Sequence, residues 1–397
     1  MASELTSTSL NVRPSRPGES LEGTDRDGDV LGGARPTHWM GAEAAGGLTL
    51  PDALPTPHQM YAPRGVWLDD QRLIVADTGN HRLLIWHGAQ HLDSHGDADV
   101  VLGQPDFTTE GAQAGGRGSE AGLRLPTGVL VHDGRLVVAD AWNHRILIWN
   151  EVPTISDTEP DVILGQPDPT SVMENRGGGC GPLGFYWPFG IAMVGDVFYV
   201  ADTGNRRVLA WDGLPDPDDQ PDLVLGQPAA DQRDENRGEL GPDSFRWPHD
   251  IASAKGIVFI ADAGNHRVLG WKPKPDMDRP ADTVLGQSDF VTGSEWPYSP
   301  QTAKALRFPY AIDIEHETMV VADTANNRIL VWDEVPLDST MPANRVLGQP
   351  TFASNGENRW DRVAADTFCW PYGLCLHRGR VAVTDSGNNR VTIWDLG

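Results

Sequence analysis

VADTGNHR, at residues 75–82, is the most informative segment of this chain, because close variants of it occur five more times. The other copies are VADAWNHR (138–145), VADTGNRR (200–207), IADAGNHR (260–267), VADTANNR (321–328) and VTDSGNNR (383–390). Their aspartates lie 60 to 63 residues apart, and a tryptophan follows nine residues after each aspartate. Self-similarity at a steady period indicates one structural unit that is built six times.

Two further motifs keep the same phase. A proline precedes a short apolar run in each copy, at Pro63, Pro126, Pro188, Pro248, Pro309 and Pro371. The tripeptide LGQ ends at Gln104, Gln166, Gln227, Gln287 and Gln349. The first copy holds four apolar runs, Gly65–Leu68, Leu73–Ala76, Leu83–Trp86 and Val100–Leu102. Such short runs of Val, Ile and Leu between turn residues predict buried strands, four in each repeat.

The D-x-x-N-x-R pattern between two predicted strands resembles the NHL repeat, and the resemblance extends from about residue 60 to residue 397. It implies an all-β, six-bladed β-propeller with four-stranded antiparallel blades, an architecture that leaves few strand edges open. NHL repeats are usually shorter, so the additional residues are expected in the connections between strands. The resemblance does not imply one function.

The sixth copy ends at Gly397 after its third strand, so its fourth strand is expected to come from the N-terminal part of the chain. Asp29–Gly33 (DVLGG) is similar to DVVLG at 99–103 and is the favoured candidate. His38–Ala42 (HWMGA), which lies at the usual spacing before Pro63, is the alternative. Either segment would close the ring by pairing an N-terminal strand with the last blade.

The domain organisation follows from the extent of the repeats. Residues 1–28 are polar and rich in Ser, Gly and Pro, which predicts a flexible tail. Residues 29–397 are expected to form a single propeller domain.

Composition argues against several classes of protein. The net charge of −25 repels phosphate backbones and disfavours nucleic-acid binding. No apolar run is long enough for a membrane span, and the first residues lack the apolar core of a secretory signal. Three cysteines without a CxxC pair indicate neither a disulfide framework nor a zinc knuckle. We therefore expect a cytoplasmic protein with no membrane contact.

The repeated polar residues are interpreted as structural, because a residue needed for chemistry is needed once and these occur six times. Each Asp is expected to bond a backbone N–H two residues on and to pair with the Arg five residues on. His81, His144 and His266 share one position in three blades. They are too far apart to share a metal, since packed sheets lie about 10 Å apart and zinc–nitrogen bonds are about 2 Å.

Alternating strand directions divide the connections between the two faces of the ring. The D-x-x-N-x-R turn and the connection from LGQ to the next proline belong to one side, here called the motif face. The connections from each Trp to LGQ are expected on the opposite face and carry −14 of the net charge of −25. This acidity either maintains solubility or attracts a basic partner.

The motif-face connections supply the candidate binding surface. Three contain Glu-Asn-Arg and three end in Trp-Pro, and Arg and Trp are enriched in binding hot spots. The alternative is that these residues only brace the loops. The candidate binding residues are Arg64, Arg176, Arg237, Arg359, Trp187, Trp247, Trp370, Tyr310 and Tyr372.

The favoured functional hypothesis is a non-catalytic scaffold that binds another protein and needs no cofactor. The chain resembles bacterial NHL-repeat proteins that contain LGQPDF, some of which accompany nickel–iron hydrogenase genes. That resemblance implies an accessory role beside such a redox enzyme.

The alternative hypothesis is a metal-assisted hydrolase or lyase on the propeller axis. Asp250 occupies the second position after the proline, where the other five blades have Gly or Ala, and His249 directly precedes it. His249 with Asp250 is suited to acid–base chemistry, and Asp250, Asp313 and His249 are candidate metal ligands. NHL-type amidating lyases, which the chain resembles in architecture, bind zinc through axial histidines, and here His249 is the single candidate. Binding of a small ligand in the central channel is a third interpretation.

Overall fold

The computed structural model describes residues 31–42, 55–88, 92–295, 301–339 and 341–397. Within these residues, 24 strands form six four-stranded antiparallel sheets. The first strand of each sheet contacts the first strands of the two neighbouring sheets, and these contacts close into a ring. The expected six-bladed propeller is therefore confirmed.

The strands follow the phase of the repeat. Strand β1 (Arg35–Gly41) comes first in the chain and belongs to blade 6. Blade 1 contains β2 (Gly65–Leu68), β3 (Arg72–Asp77), β4 (Arg82–His87) and β5 (Val100–Leu102). Blade 2 contains β6 (Val129–His132), β7 (Arg135–Asp140), β8 (Arg145–Trp149) and β9 (Val162–Leu164). Blade 3 contains β10 (Pro188–Val194), β11 (Val197–Asp202), β12 (Arg207–Asp212) and β13 (Leu223–Leu225).

The second half of the chain repeats this arrangement. Blade 4 contains β14 (Pro248–Ala254), β15 (Ile257–Asp262), β16 (Arg267–Trp271) and β17 (Thr283–Leu285). Blade 5 contains β18 (Pro309–Glu315), β19 (Thr318–Asp323), β20 (Arg328–Trp332) and β21 (Arg345–Leu347). Blade 6 contains β22 (Pro371–His377), β23 (Arg380–Asp385), β24 (Arg390–Asp395) and β1.

Within the described residues, helical structure is confined to single turns. Each D-x-x-N-x-R turn contains one turn of 3-10 helix, at Thr78–Asn80, Ala141–Asn143, Thr203–Asn205, Ala263–Asn265, Thr324–Asn326 and Ser386–Asn388. Motif-face connections carry further turns at α1 (Ala112–Gly116), Glu174–Gly177, Glu235–Gly238 and Glu357–Trp360. No helix in the described part of the chain has the length and apolar character needed to cross a membrane.

The ring is closed by β1, which pairs antiparallel with β24. Met40 lies opposite Val391 and is completely buried. The favoured segment 29–33 was therefore wrong and the alternative at 38–42 is close to the observed strand. Similarity to the LGQ strand is local, whereas pairing also requires an apolar side chain at the register that faces the core. Leu31–Gly33 instead form a turn before β1, and the proposed tail at 1–28 lies outside the described residues.

Glycine after the first-strand proline lets neighbouring blades converge at the axis. A Cβ on Gly128 would lie 2.4 Å from the carbonyl oxygen of Phe189 in the next blade. The glycine of LGQ is required for a different reason. Gly165 has a φ of 88°, and a Cβ there would lie 2.2 Å from the Phe185 ring. Both sequence motifs therefore follow from the close approach of the backbone to a neighbour.

The hydrophobic core is divided into clusters that lie between adjacent blades. One cluster, for example, joins Phe259 and Ala261 of blade 4 to Met319 and Trp332 of blade 5. The six tryptophans of the repeat all lie in such clusters and are at most 5% exposed: Trp86, Trp149, Trp211, Trp271, Trp332 and Trp394. These tryptophans therefore fill the space between adjacent blades.

The acidic connections from Trp to LGQ do not remain on the opposite face. They cross the outer rim and cap the exposed edge of the preceding blade's fourth strand. The N–H of Val101 donates to Oγ of Ser156 at 3.1 Å, and the N–H of Val284 donates to Oγ of Ser339 at 3.1 Å. Asp157, which follows Ser156 in the same connection, forms an ion pair with Arg117 of a motif-face loop. The segments around Ser156 and Ser339 therefore lie along the rim, where they protect strand edges.

Candidate functional site

The Asp and Arg of each D-x-x-N-x-R motif form a completely buried ion pair. Arg Nε lies 2.6–3.0 Å from Asp Oδ2 in all six blades, and both side chains are 0% exposed. In blade 2, Nη2 of Arg145 donates to the carbonyls of Ser119 and Gly122 in the entering loop. Nη1 of Arg145 donates to the carbonyl of Pro169 in the departing loop, at 3.0 Å. One guanidinium thus fastens a turn and two motif-face loops.

The second carboxylate oxygen of each motif Asp holds the start of the blade. Oδ1 of Asp140 accepts the backbone N–H of Arg124 at 2.7 Å, sixteen residues earlier. The expected partner two residues on was wrong, because the ion pair turns the carboxylate inward. The equivalent bonds go to the N–H groups of Tyr61, Tyr186, Arg246, Arg307 and Cys369.

The histidines of the motif join neighbouring blades. His144 adopts a left-handed φ of 55°, and its Nδ1 accepts the backbone N–H of Trp187 in the next blade at 3.1 Å. Burial lowers the pKa of His144 to about 4, so the imidazole is neutral and its acceptor nitrogen is retained. The equivalent acceptors are His81, His266, Asn327 and Asn389. Three histidines and two asparagines perform one structural task.

The arginines of the three Glu-Asn-Arg segments are tied to carboxylates of the protein itself. Their side chains are 22–28% exposed, and this arrangement favours the bracing interpretation. The role of these arginines in binding stays a prediction. The ion pairs are Arg176–Asp218 (2.5 Å), Arg237–Asp243 (2.9 Å), Arg237–Asp278 (2.8 Å) and Arg359–Asp366 (2.8 Å).

Two of the three Trp-Pro tryptophans are half-buried in aromatic contacts on the motif face. Trp187 packs against Tyr186 and Trp142, with ring centroids 4.5 and 5.2 Å away. Trp247 stacks on Phe308 at 6.2 Å. These rings cover the tops of their blades, whereas a different pair of tryptophans is open to solvent.

Trp360 and Trp370 are exposed on one motif-face loop, 350–371. Trp360 is 77% exposed and Trp370 is 40% exposed, and Nε1 of Trp370 donates to Glu357 at 3.0 Å. Trp360 has a left-handed φ of 56°, which is rare for a bulky residue. Sequence reasoning missed Trp360, although a signal was present. The segment ENRW at 357–360 has Trp where the equivalent segments, at 174–177 and 235–238, have Gly.

The residues that follow the six prolines converge on the motif-face mouth of a central channel of about 360 Å³. They are Arg64, Thr127, Phe189, His249, Tyr310 and Tyr372. Four of them form a row of contacting rings that we call the aromatic belt: Phe189, His249, Tyr310 and Tyr372, with successive ring centroids 4.6, 4.5 and 4.6 Å apart. The Arg64 guanidinium continues the row, 4.6 Å from the centre of the Tyr372 ring. The predicted candidates Arg64, Tyr310 and Tyr372 are thus brought together.

A family model of the NHL repeat matches residues 123–149, 245–271 and 368–394, which are the second, fourth and sixth copies. The chain is a propeller built from NHL repeats. The three unmatched copies have the same strands and the same buried Asp–Arg pair, so all six blades share one architecture.

Two curated relatives of this NHL propeller are named NHL repeat-containing protein 2. The Gallus gallus protein is 28% identical and the Homo sapiens protein is 26% identical, each match covering 87% of this chain. The chain spans about half the length of these relatives, 48% in each case. Among solved structures, a Bacteroides thetaiotaomicron protein of unknown function aligns with a TM-score of 0.50 and 11% identity. That alignment covers 91% of this chain and 75% of the other, and it supports the fold alone.

The two carboxylates predicted on the axis of the NHL propeller bond backbone groups of the next blade. Oδ2 of Asp250 accepts the N–H of Ile312 at 3.0 Å, and Oδ2 of Asp313 accepts the N–H of Leu376 at 2.6 Å. Enclosure by the surrounding strands raises the pKa of Asp250 to about 8 and that of Asp313 to about 6. The charge of Asp313 adds to the shift of Asp250, while the backbone N–H bonds oppose both shifts.

His249 does not act as a partner for these carboxylates. Its Nδ1 lies 3.0 Å from the carbonyl oxygen of Trp247, so Nδ1 carries the proton and donates. Burial, with a smaller contribution from the Arg64 charge, lowers the pKa of His249 to about 4. Within the described ranges, no three His, Cys, Asp or Glu side chains are grouped so that they could hold a metal ion. The proposed set of His249, Asp250 and Asp313 is therefore not assembled as a metal site.

Proposed function

We propose that this NHL propeller is a non-catalytic binding module whose motif face recognises another protein. The observation that carries the proposal is Trp360, an exposed tryptophan with left-handed backbone at a position that is glycine in two equivalent loops. Trp370 on the same loop adds a second exposed indole, and tryptophan is the residue type most enriched in binding hot spots.

The loop that carries these tryptophans is held in place before any partner arrives. Nη2 of Arg390 donates to the carbonyls of Ala364 and Thr367. Asn358 and Asn388 exchange side-chain hydrogen bonds at 3.0 and 2.9 Å. A pre-organised loop loses little conformational entropy on binding, which favours recognition of a protein surface.

The test uses Trp360→Gly, because glycine is the residue that the equivalent loops carry. The variant relieves the left-handed backbone and should fold at least as stably as the parent. The partner is recovered by affinity purification from cells of the source organism and its binding to purified protein is then measured by calorimetry. We expect Trp360→Gly to weaken that binding by about 2 kcal/mol or more.

The matched control is Ile155→Ser, which removes a residue that is 73% exposed on the rim. This variant should bind the partner as the parent does. Equal affinities for all three proteins would overturn the assignment of the motif face.

A role beside a nickel–iron hydrogenase stays a prediction from resemblance. Co-purification of hydrogenase subunits with the parent and their loss with Trp360→Gly would support it. A recovered partner unrelated to hydrogenases would leave the binding module in place and remove this particular assignment.

A further inference from the structure

We propose that the motif-face mouth of the central channel binds a small planar organic carboxylate, with Arg64 as its anion-binding group. Trp360 and Trp370 do not line this site, which would take a small molecule rather than a protein surface. Its parts are the Arg64 guanidinium, the aromatic belt and the channel below them.

Arg64 has an unused capacity to bind an anion. Among the described residues, its guanidinium makes no hydrogen bond and no ion pair, and its buried Nε has no partner. The motif arginine Arg145 differs from it, because its guanidinium is bonded to one carboxylate and three loop carbonyls. The cation–π contact holds the Arg64 guanidinium 4.6 Å from the centre of the Tyr372 ring, and a guanidinium is suited to bidentate contact with a carboxylate.

The belt beside Arg64 favours a flat ligand body. Tyr310 and Tyr372 are parallel to within 7°, and His249 and Phe189 continue the row toward the other side of the mouth. Aromatic side chains provide rigid apolar contact at low conformational cost, and tyrosine hydroxyls add polar contacts. A channel of about 360 Å³ limits the ligand to a small molecule.

The charges around the channel favour a monoanion over a phosphate dianion. Arg64 is the one Lys or Arg among the residues that line this channel. The acidic residues of the lining are Asp250 and Asp313, which lie further along the first strands. Since its pKa is raised to about 8, Asp250 is mainly protonated at neutral pH, whereas Asp313, with a pKa of about 6, is mainly ionised and disfavours a second negative charge on the ligand. One free guanidinium therefore matches one carboxylate.

The test is a ligand-observed ¹⁹F NMR titration of the purified full chain at pH 7, with 4-fluorobenzoate as the probe. We expect saturable binding with a dissociation constant of about 1 mM or below, as for a good fragment. The uncharged isostere 4-fluorobenzamide and inorganic phosphate should bind at least about tenfold more weakly. Arg64→Gln should weaken 4-fluorobenzoate binding by about tenfold or more.

Two variants serve as controls. Arg124→Gln removes another motif-face guanidinium, one that stacks on Trp142 away from the channel, and should leave binding unchanged. Trp360→Gly should also bind normally, which separates this site from the proposed partner surface. Equal binding of the benzamide, an unchanged affinity in Arg64→Gln, or no saturable binding of the probe would each overturn the proposal. If a peptide with an acidic C-terminus binds at Arg64 but the probe does not, the mouth belongs to a protein partner instead.

Discussion

The D-x-x-N-x-R turns and the mouth of the channel are both built from positions that occur once in every blade, yet they differ in what they hold. The turns carry the same buried Asp–Arg pair six times, with distances that vary by only 0.4 Å. The mouth carries an arginine, a threonine, a phenylalanine, a histidine and two tyrosines at one equivalent position.

This contrast distinguishes residues that stabilise the fold from residues that are available for recognition. A buried ion pair must be satisfied in each blade, because a lone buried charge is costly. The mouth positions face a solvent-accessible channel, where no such requirement fixes the residue. Differences among equivalent blades, at Arg64 and at Trp360, are therefore where this symmetric ring becomes specific.

The largest expected effect is in the turns. Arg145→Met leaves Asp140 buried without its cation and leaves three loop carbonyls without a donor. We expect a loss of about 3–5 kcal/mol in the free energy of unfolding, measured by urea denaturation. The control is Arg135→Met. Arg135 is exposed and begins β7, at the opposite end of that strand from Asp140, so this change should affect stability little. Similar midpoints for both variants would contradict the structural role.

A smaller effect concerns the histidines that join blades. The pKa of His144 is about 4 when folded and near the ordinary 6.5 when unfolded, so the unfolded chain binds more protons between these values. The contribution of His144 to the free energy of unfolding is thus fully present above pH 6.5 and decreases as the pH falls toward 4. His144→Asn, which copies Asn327 of blade 5, should retain the hydrogen bond and remove about 1–3 kcal/mol of this acid dependence. Unfolding curves at pH 7 and pH 4.5 measure it, and identical acid sensitivity in the variant would refute the assignment.

The smallest expected effect is at the mouth. Arg64→Gln removes a guanidinium that has no hydrogen bond or ion pair in the described chain, so the free energy of unfolding should change by at most about 0.5 kcal/mol. Thermal and urea unfolding beside the parent protein provide the measurement. A loss comparable to that of Arg145→Met would show that Arg64 serves the fold and would sharply weaken the contrast between the two regions.

The repeat itself predicted most of the fold. The runs proposed for the first copy coincide with β2 to β5 to within one residue at each end, because apolar period and turn residues are local properties. The pairing of Asp with Arg was also predictable from spacing alone. The bond from Asp140 to the N–H of Arg124 was not, since it depends on a loop that the tertiary fold returns to the turn.

The candidate site was predicted in part. The sequence singled out Arg64, Tyr310 and Tyr372 but could not show that Phe189 and His249 complete one continuous row with them. It also identified Arg237 without its partners Asp243 and Asp278, one of which comes from the next blade's rim connection. These contacts between successive blades join residues 41 to 62 positions apart, and the local sequence pattern carries no information about them.

By itself, the sequence determined the number of blades, their phase and the residues that each blade must bury, because these follow from a periodic chain that has to satisfy the same contacts six times. The tertiary structure alone decided that β1 closes the ring at Met40, that the acidic connections run along the rim, and which side chains meet at the axis. Those outcomes depend on closure of the ring, which brings the two ends of the repeat array together and sets six distant positions around a common channel.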